Sequence, residues 1–321
     1  MSEFQRVETS RGRSIFVDPA DTRGQALAAA RDSVNPRSLE LWRRVVRLAR
    51  WRTVVDVGCN YGEMLLGADY APDARIVAFE PNPRILPYLR RTIAESGLDV
   101  ELHPLAVAAV EGVVGFDIDE EWSGTSGIHG ERGLGHAITT LDVGVTTLDR
   151  ALADIGPGPC CIKIDVEGFE VEVLAGAREV LSAHSAWAIM IEIEHQDLEI
   201  ISDWVGRYAV FLFDAVSDAL VKVTAPGVEA IAALLASGEV HTQDAVIISD
   251  GLLHELAGRP DAEGLDGATQ WRIAAEARSV GLRDAQVRIA GLDAELRDLR
   301  ASHSWRITAP VRALTRLVRG R

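Results

Sequence analysis

The chain of 321 residues carries 48 acidic residues against 33 Lys plus Arg, a formal net charge of -15 at pH 7, with 47% hydrophobic and 25% charged residues. That length has room for one large α/β domain with an appendage, or two modest domains, and the composition is that of an ordinary globular chain. So negative a surface is repelled by a phosphate backbone, which argues against nucleic acid as the main substrate. Cys59, Cys160 and Cys161 do not make a disulfide framework, no run of roughly 18 apolar residues is present, and the first residues lack an apolar leader. A cytoplasmic, reducing location is expected.

In chain order, residues 13–17 read as a short strand and 22–32 as a helix broken by Asn35-Pro36. Ser38 is placed to cap a second helix carrying Leu41, Trp42, Val45 and Val46 on one side. This first part, residues 1–50, is expected to cover a sheet face or a cofactor pocket. Residues 51–250 then alternate strands and helices. The run 53–57 has the uninterrupted apolar, β-branched character of a strand covered on both faces. It ends at Asp56-Val57 and turns through Gly58-Cys59-Asn60-Tyr61-Gly62 into a helix whose N-terminus offers free N–H groups. A second strand over 75–79 ends in Glu80, roughly 20 residues past the glycine turn, where nucleotide-binding folds set an acid against ribose hydroxyls. Asn60 stands where a dinucleotide site needs its close-approach glycine, and Asp56 suits a cationic or hydroxylated ligand better than a phosphate. The spacing points to S-adenosylmethionine.

Further on, 83–96 reads as a helix stopped by Gly97, 100–103 as a strand and 113–118 as an extended stretch. The small polar loop 122–127 is a candidate substrate lid, with a plain surface turn as its alternative. The buried-type strand from Cys160 ends on Asp165 and Glu167, which should face the same crevice as Asp56 and Glu80. The strand over 187–193 ends beside Glu194 and His195; alternation puts Glu192 and Glu194 on one face. Glu170 and Glu172 are expected on the solvated face of a helix over 171–181, and the adjacent cysteines in the core. Strands over 208–213 and 245–248, the terminal pair antiparallel, bring the count to about seven in a mostly parallel sheet.

Beyond residue 250 the composition shifts. Leu282, Ala285, Ile289, Leu292, Leu296 and Leu299 make a short a/d seam, expected to pack on the domain, a partner or a second copy of the chain. After residue 300 there are five arginines and no acid, around Trp305, which suggests an inner-membrane surface or an acidic partner. The segment Ser304-Trp305-Arg306-Ile307-Thr308-Ala309-Pro310 is similar to tails of bacterial surface-polysaccharide enzymes.

Taken together, Val55-Asp56-Val57-Gly58-Cys59-Asn60-Tyr61-Gly62, Phe79-Glu80-Pro81-Asn82, Thr147-Leu148-Asp149 and Lys163-Ile164-Asp165-Val166-Glu167-Gly168-Phe169-Glu170 resemble the FkbM-type family of S-adenosylmethionine-dependent O-methyltransferases. The resemblance implies the class I methyltransferase fold, α/β and Rossmann-like. It also implies that Asp56, Gly58, Asn60, Gly62, Glu80, Asn82 and Asp165 surround the cofactor. Asp165, Glu167, Glu194 and His195 are the candidates for the general base, acting directly or around a divalent cation. The expected reaction is O-methylation of a sugar hydroxyl in surface-glycan synthesis. The alternatives are a small natural-product hydroxyl, or a non-catalytic cofactor-binding scaffold in a glycan-assembly complex.

Overall fold

A computed structural model describes residues 4–129, 137–194, 196–214, 219–224 and 227–257. His195, the seam at 282–299 and the arginine-rich end lie outside the described residues.

The chain opens with a hairpin, β1 (Gln5–Glu8) paired antiparallel with β2 (Ser14–Val17). Helix α1 (Thr22–Ala30) follows, capped by the Asp21 side chain, which accepts from the Arg23 and Gly24 N–H groups. In α2 (Pro36–Arg47) the cap position is Asn35, not Ser38. Proline's fixed φ and missing N–H suit the first helical turn, so Pro36 starts the helix three residues earlier than a Ser38 cap would. Ser38 is left inside it, where its hydroxyl donates to Asp244 at 2.6 Å.

The central sheet grows outward from β3 (Thr53–Val57). Helix α3 (Glu63–Gly67) leads to β4 (Arg75–Phe79), and α4 (Leu86–Ser96), stopped by Gly97 at φ 73°, leads to β5 (Val100–His103). A smaller sheet not foreseen in full from the sequence then forms. It comprises β6 (Ala106–Val107), β7 (Gly112–Asp119), β8 (Gly127–Ile128) and β9 (Ile138–Thr146), in the order β6-β9-β7-β8. After the short α5 (Leu148–Ala151) the chain returns to the central sheet with β10 (Cys160–Ile164). The single helix expected next is two, α6 (Glu170–Ala175) and α7 (Arg178–Ala183), interrupted at Gly176, where a Cβ would lie 2.3 Å from the Ala108 carbonyl oxygen. Then come β11 (Trp187–Glu192), α8 (Leu198–Arg207), β12 (Ala209–Asp214), β13 (Ala219–Lys222), α9 (Val228–Ala236), β14 (Asp244–Ile248) and α10 (Asp250–Ala257).

The central sheet has eight strands among the described residues, in the order β13-β12-β14-β11-β10-β3-β4-β5. The eighth is β13, which lengthens the antiparallel edge. Pairing is parallel from β5 to β11, and β14 runs antiparallel to both its neighbours. The sheet is the α/β, Rossmann-like arrangement of a class I methyltransferase. From β3 the chain builds one way through β4 and β5, then crosses to β10 and builds the other way. That reversal opens a crevice at the carboxyl ends of β3 and β10, where ligands of such sheets bind.

Alternation along the strands sorts the core. Val55, Val57, Ile162 and Ile164 face the side covered by α5 to α9, while Val54, Cys161 and Met190 pack with Trp42 and Val45 of α2. Cys160 and Cys161 are fully buried, and burial pushes the Cys160 thiol up to about 12, so they act as small core residues. Asp56 and Lys163 share the α2 side of the sheet, directly opposite each other in register. Trp42 has no exposed surface and its indole N–H donates to the Tyr70 hydroxyl at 3.3 Å. Trp42→Ala is expected to cost about 3–5 kcal/mol in urea denaturation; a cost under about 1 kcal/mol would contradict this packing.

Candidate active site

The turn after β3 is shaped by what cannot fit there. Gly58 adopts φ 80°, and a Cβ would sit 1.8 Å from the Asp165 carbonyl oxygen, so only glycine lets the β3 and β10 loops meet. Asn60 takes the left-handed conformation at φ 45°, which asparagine tolerates better than most residues. Its side-chain oxygen accepts from the Tyr61 N–H at 2.9 Å and from Arg23 at 3.0 Å. Gly62, at φ 86°, caps the start of α3, and a Cβ there would lie 3.1 Å from Leu89 and 3.4 Å from Thr92.

Glu80 is gripped from two loops. The Asn60 N–H donates to one carboxylate oxygen and the Asn82 N–H to the other, both at 2.8 Å. Burial nevertheless pushes its carboxyl up to about 7. Asn82 itself is buried and closes the next turn by accepting from the Arg84 N–H.

The β10 loop holds the second group of acids. Lys163, 2% exposed, places its Nζ 3.4 Å from Asp56 and 3.2 Å from Asp165. Burial works against its charge, but Asp165 and Asp56 outweigh it and raise the Lys163 pKa. Burial pushes the Asp56 carboxyl up against the pull of Lys163. Glu167 sits in left-handed backbone at φ 60°, a costly conformation for such a residue and one that clusters at functional sites. Glu170 holds it there. Expected on a solvated face, Glu170 is completely buried, and its carboxylate accepts from the Val166 and Gly168 N–H groups on either side of Glu167 and from Gln196.

Carboxylate oxygens of Asp165, Glu167 and Glu192 all lie within 4.8 Å of one another. Burial, with Asp165, Glu167 and Glu170 close by, pushes the Glu192 carboxyl far up, and its Oε2 is enclosed without a hydrogen-bond partner. Such a trio of oxygen donors could hold a hard divalent cation. Glu194, expected at this mouth, is instead exposed and accepts from Gln243 at 2.9 Å. The strand ends one residue earlier than that expectation needs, so Glu192 takes the place.

These groups line a cleft of about 140 Å³, with Glu80, Asp165, Glu167 and Glu192 on its polar side and Phe79, Val107 and Phe116 among its apolar walls. A polar side chamber of about 30 Å³ adjoins it and shares Arg23, Asn35, Gly58, Asn60, Asp165 and Glu192 with the cleft. Gly58, Asn60, Glu80, Asp165 and Glu167 thus come together, whereas Asp56, Gly62 and Asn82 support the lining from behind. The loop 122–127, a candidate lid with a plain surface turn as its alternative, forms one wall of the cleft. Asp21 accepts from Ser123 N–H and hydroxyl at 3.0 and 2.6 Å and from the Tyr61 hydroxyl at 2.7 Å, tying α1, this loop and the β3 turn together. Sequence reasoning missed Asp21, Arg23, Glu170 and Glu192 as site residues; an acid directly before a predicted helix was the signal for Asp21, and strand alternation with Glu194 the signal for Glu192.

A raised carboxyl stabilises the fold below its unfolded value and loses that contribution as pH climbs to the folded value. Between about pH 4.5 and 7, wild type should therefore lose thermal stability relative to Glu80→Gln. Melting curves at pH 5 and pH 8 that show the same difference would contradict the burial of an ionising Glu80.

No curated protein matches the sequence. Among solved structures, the chain is similar to an O-methyltransferase from Bacillus cereus in complex with SAH, at 14% identity and TM-score 0.35, over 70% of this chain and 88% of that one. It is similar to TomG, an O-methyltransferase of tomaymycin synthesis from Streptomyces achromogenes in complex with SAM, at 14% identity and TM-score 0.35, over 73% and 92%. A precorrin-6y C5,15-methyltransferase from Geobacter metallireducens gives 14% identity and TM-score 0.35, over 73% and 93%. Residues 56–220 match the FkbM methyltransferase domain, a span of more than half the chain that takes in the β3 turn, Glu80, Asp165 and Glu192. The chain belongs to the FkbM methyltransferase family.

Proposed function

We propose that the protein is an S-adenosylmethionine-dependent O-methyltransferase acting on a sugar hydroxyl. The observation that carries this reading is the convergence of Asp165, Glu167 and Glu192 beside a cleft suited to an adenosine. The fit to the cofactor rests on three features. Leu105, Phe116 and Ile128 offer apolar surface to a flat base, and Glu80 is oriented by two backbone N–H groups to accept from a ribose diol. The carboxylates of the far wall suit a sulfonium cation.

Bound S-adenosylmethionine supplies an activated methyl group. Asn60, Glu80 and the carboxylates of the far wall would hold the cofactor, and its methyl group would pass to an acceptor oxygen while the electron pair of the carbon–sulfur bond remained on sulfur. Most of the rate enhancement then comes from holding the oxygen at attack distance, which is the task of the residues around the side chamber. The acceptor's proton passes to a carboxylate of the trio, with Asp165 the best placed because Lys163 fixes it. The same three residues would hold a divalent cation, which would lower the pKa of the hydroxyl. The polar lining of the chamber, including Asn35, Ser38 and Gln243, supports a polyhydroxylated acceptor. The arginine-rich end supports an acceptor attached near a membrane, as in surface-glycan assembly. Among the described residues no helix is long and apolar enough to cross a membrane.

Transfer of a labelled methyl group to nucleotide sugars and glycan fragments tests this. Wild type should give an O-methylated sugar, and Asp165→Asn and Glu192→Gln should each lose about a hundredfold or more in turnover. Loss of turnover in chelator, restored by magnesium, would establish the cation. Full turnover in both variants would remove the carboxylate trio from the mechanism.

A further inference from the structure

The lining of the site is acidic, and S-adenosylmethionine brings to it two cationic groups, a sulfonium and an ammonium, and one anionic group, its α-carboxylate. That carboxylate needs a cation. Among the described residues that line the cleft and the chamber, the cationic side chains are Arg23 and Lys163. Lys163 is committed to Asp56 and Asp165 beneath the lining and is 2% exposed. Arg23 also has an acidic partner, Glu63 at 3.3 Å, but keeps 13% of its side chain exposed. It lines both the cleft and the chamber, so it stands where the two meet.

Its guanidinium is held in position from the sides. One terminal nitrogen donates to the Asn60 side-chain oxygen at 3.0 Å and the other to Glu63 at 3.3 Å, while Glu63 is itself fixed by the Ser33 hydroxyl at 3.0 Å. These contacts use two of the five N–H donors of a guanidinium and leave the rest to meet a ligand. Above it lies Gly124, where a Cβ would come 2.8 Å from Arg23 Cδ and 2.9 Å from Nε. Glycine at that point gives the arginine its space. Asn60 connects the group to the nucleotide turn, since its N–H also grips Glu80.

We propose that Arg23 binds the α-carboxylate of the cofactor's amino-acid half, so that α1, upstream of the family-matching span 56–220, completes the cofactor site. The inference rests on the reading that the cleft takes S-adenosylmethionine. A planar guanidinium meets a carboxylate through two parallel hydrogen bonds, which fixes the orientation of the amino-acid half as well as its charge. In an otherwise acidic lining, that contact also offsets repulsion between the cofactor's carboxylate and Asp165.

The test is calorimetric titration of the full-length protein with S-adenosylhomocysteine and with its decarboxylated analogue, which keeps the adenosine, the thioether and the ammonium. Wild type should bind S-adenosylhomocysteine at least about tenfold more tightly than the analogue. Arg23→Gln should bring the affinity for S-adenosylhomocysteine down to that of the analogue and leave analogue binding unchanged. Arg23→Lys should recover part of the loss, and Gly124→Ala, which crowds the arginine stem, should reduce the preference in the same direction. Equal wild-type affinity for the two ligands would overturn the proposal even if no variant folds. So would an Arg23→Gln protein that weakens both ligands by the same factor, because Arg23 would then only shape the site. Binding of neither ligand to folded wild-type protein would overturn the cofactor reading and this inference together, an outcome distinct from binding without preference.

Discussion

A lysine ammonium sealed beneath the site is the constraint on which the rest depends. Asp56 and Lys163 stand opposite each other across β3 and β10, both essentially unexposed, on the face covered by α2. Two charges removed from water are tolerable only as partners, and each would be costly alone. Lys163 also reaches Asp165, so one cation fixes the ends of both strands that flank the crevice. With that charge in place, Asp165 can share its small volume with Glu167 and Glu192. Without it, the acids at this end of the sheet would face one another with Arg23 as the nearest compensation.

The second organising feature is the N-terminal segment. It contributes a wall and a charge to the site, beyond covering the sheet. Asp21 caps α1 and in doing so accepts from Tyr61 of the nucleotide turn and from Ser123 of the loop opposite. Three separate stretches of chain are therefore aligned by one buried carboxylate, and Arg23, two residues on, is delivered between them. On the far side, Glu170 performs a similar service for Glu167, whose left-handed backbone is braced by bonds to the N–H groups on either side.

Much of this was legible in the sequence, for physical reasons. Apolar runs ending in acids gave β3, β4 and β10 because parallel strands buried on both faces must be apolar until they reach the crevice. Gly58, Asn60 and Glu80 followed from the geometry of the turn and the spacing to the next strand. What escaped were residues whose roles are set by partners distant in sequence. Glu170 reads as a surface acid in a helix's first turn until Val166 and Gly168 are seen to donate to it. Ser38 reads as a helix cap, but its partner is Asp244, some 200 residues away. Glu192 and Glu194 share a strand face by alternation, and only the end of pairing at Glu192 with Asp244 decides which one enters the cleft. The strand β9 escaped because its outer half, among Thr139, Thr140 and Asp142, is exposed and polar.

The most direct test of the buried charge pair as the foundation of the site is a double-mutant cycle on Asp56→Asn and Lys163→Met, read by urea denaturation without ligand. Each single substitution should cost about 3–5 kcal/mol by stranding its partner, and the double should cost less than their sum by about 1 kcal/mol or more. Costs that add within about 0.5 kcal/mol would contradict the account, because Asp56 and Lys163 would then be independent of each other.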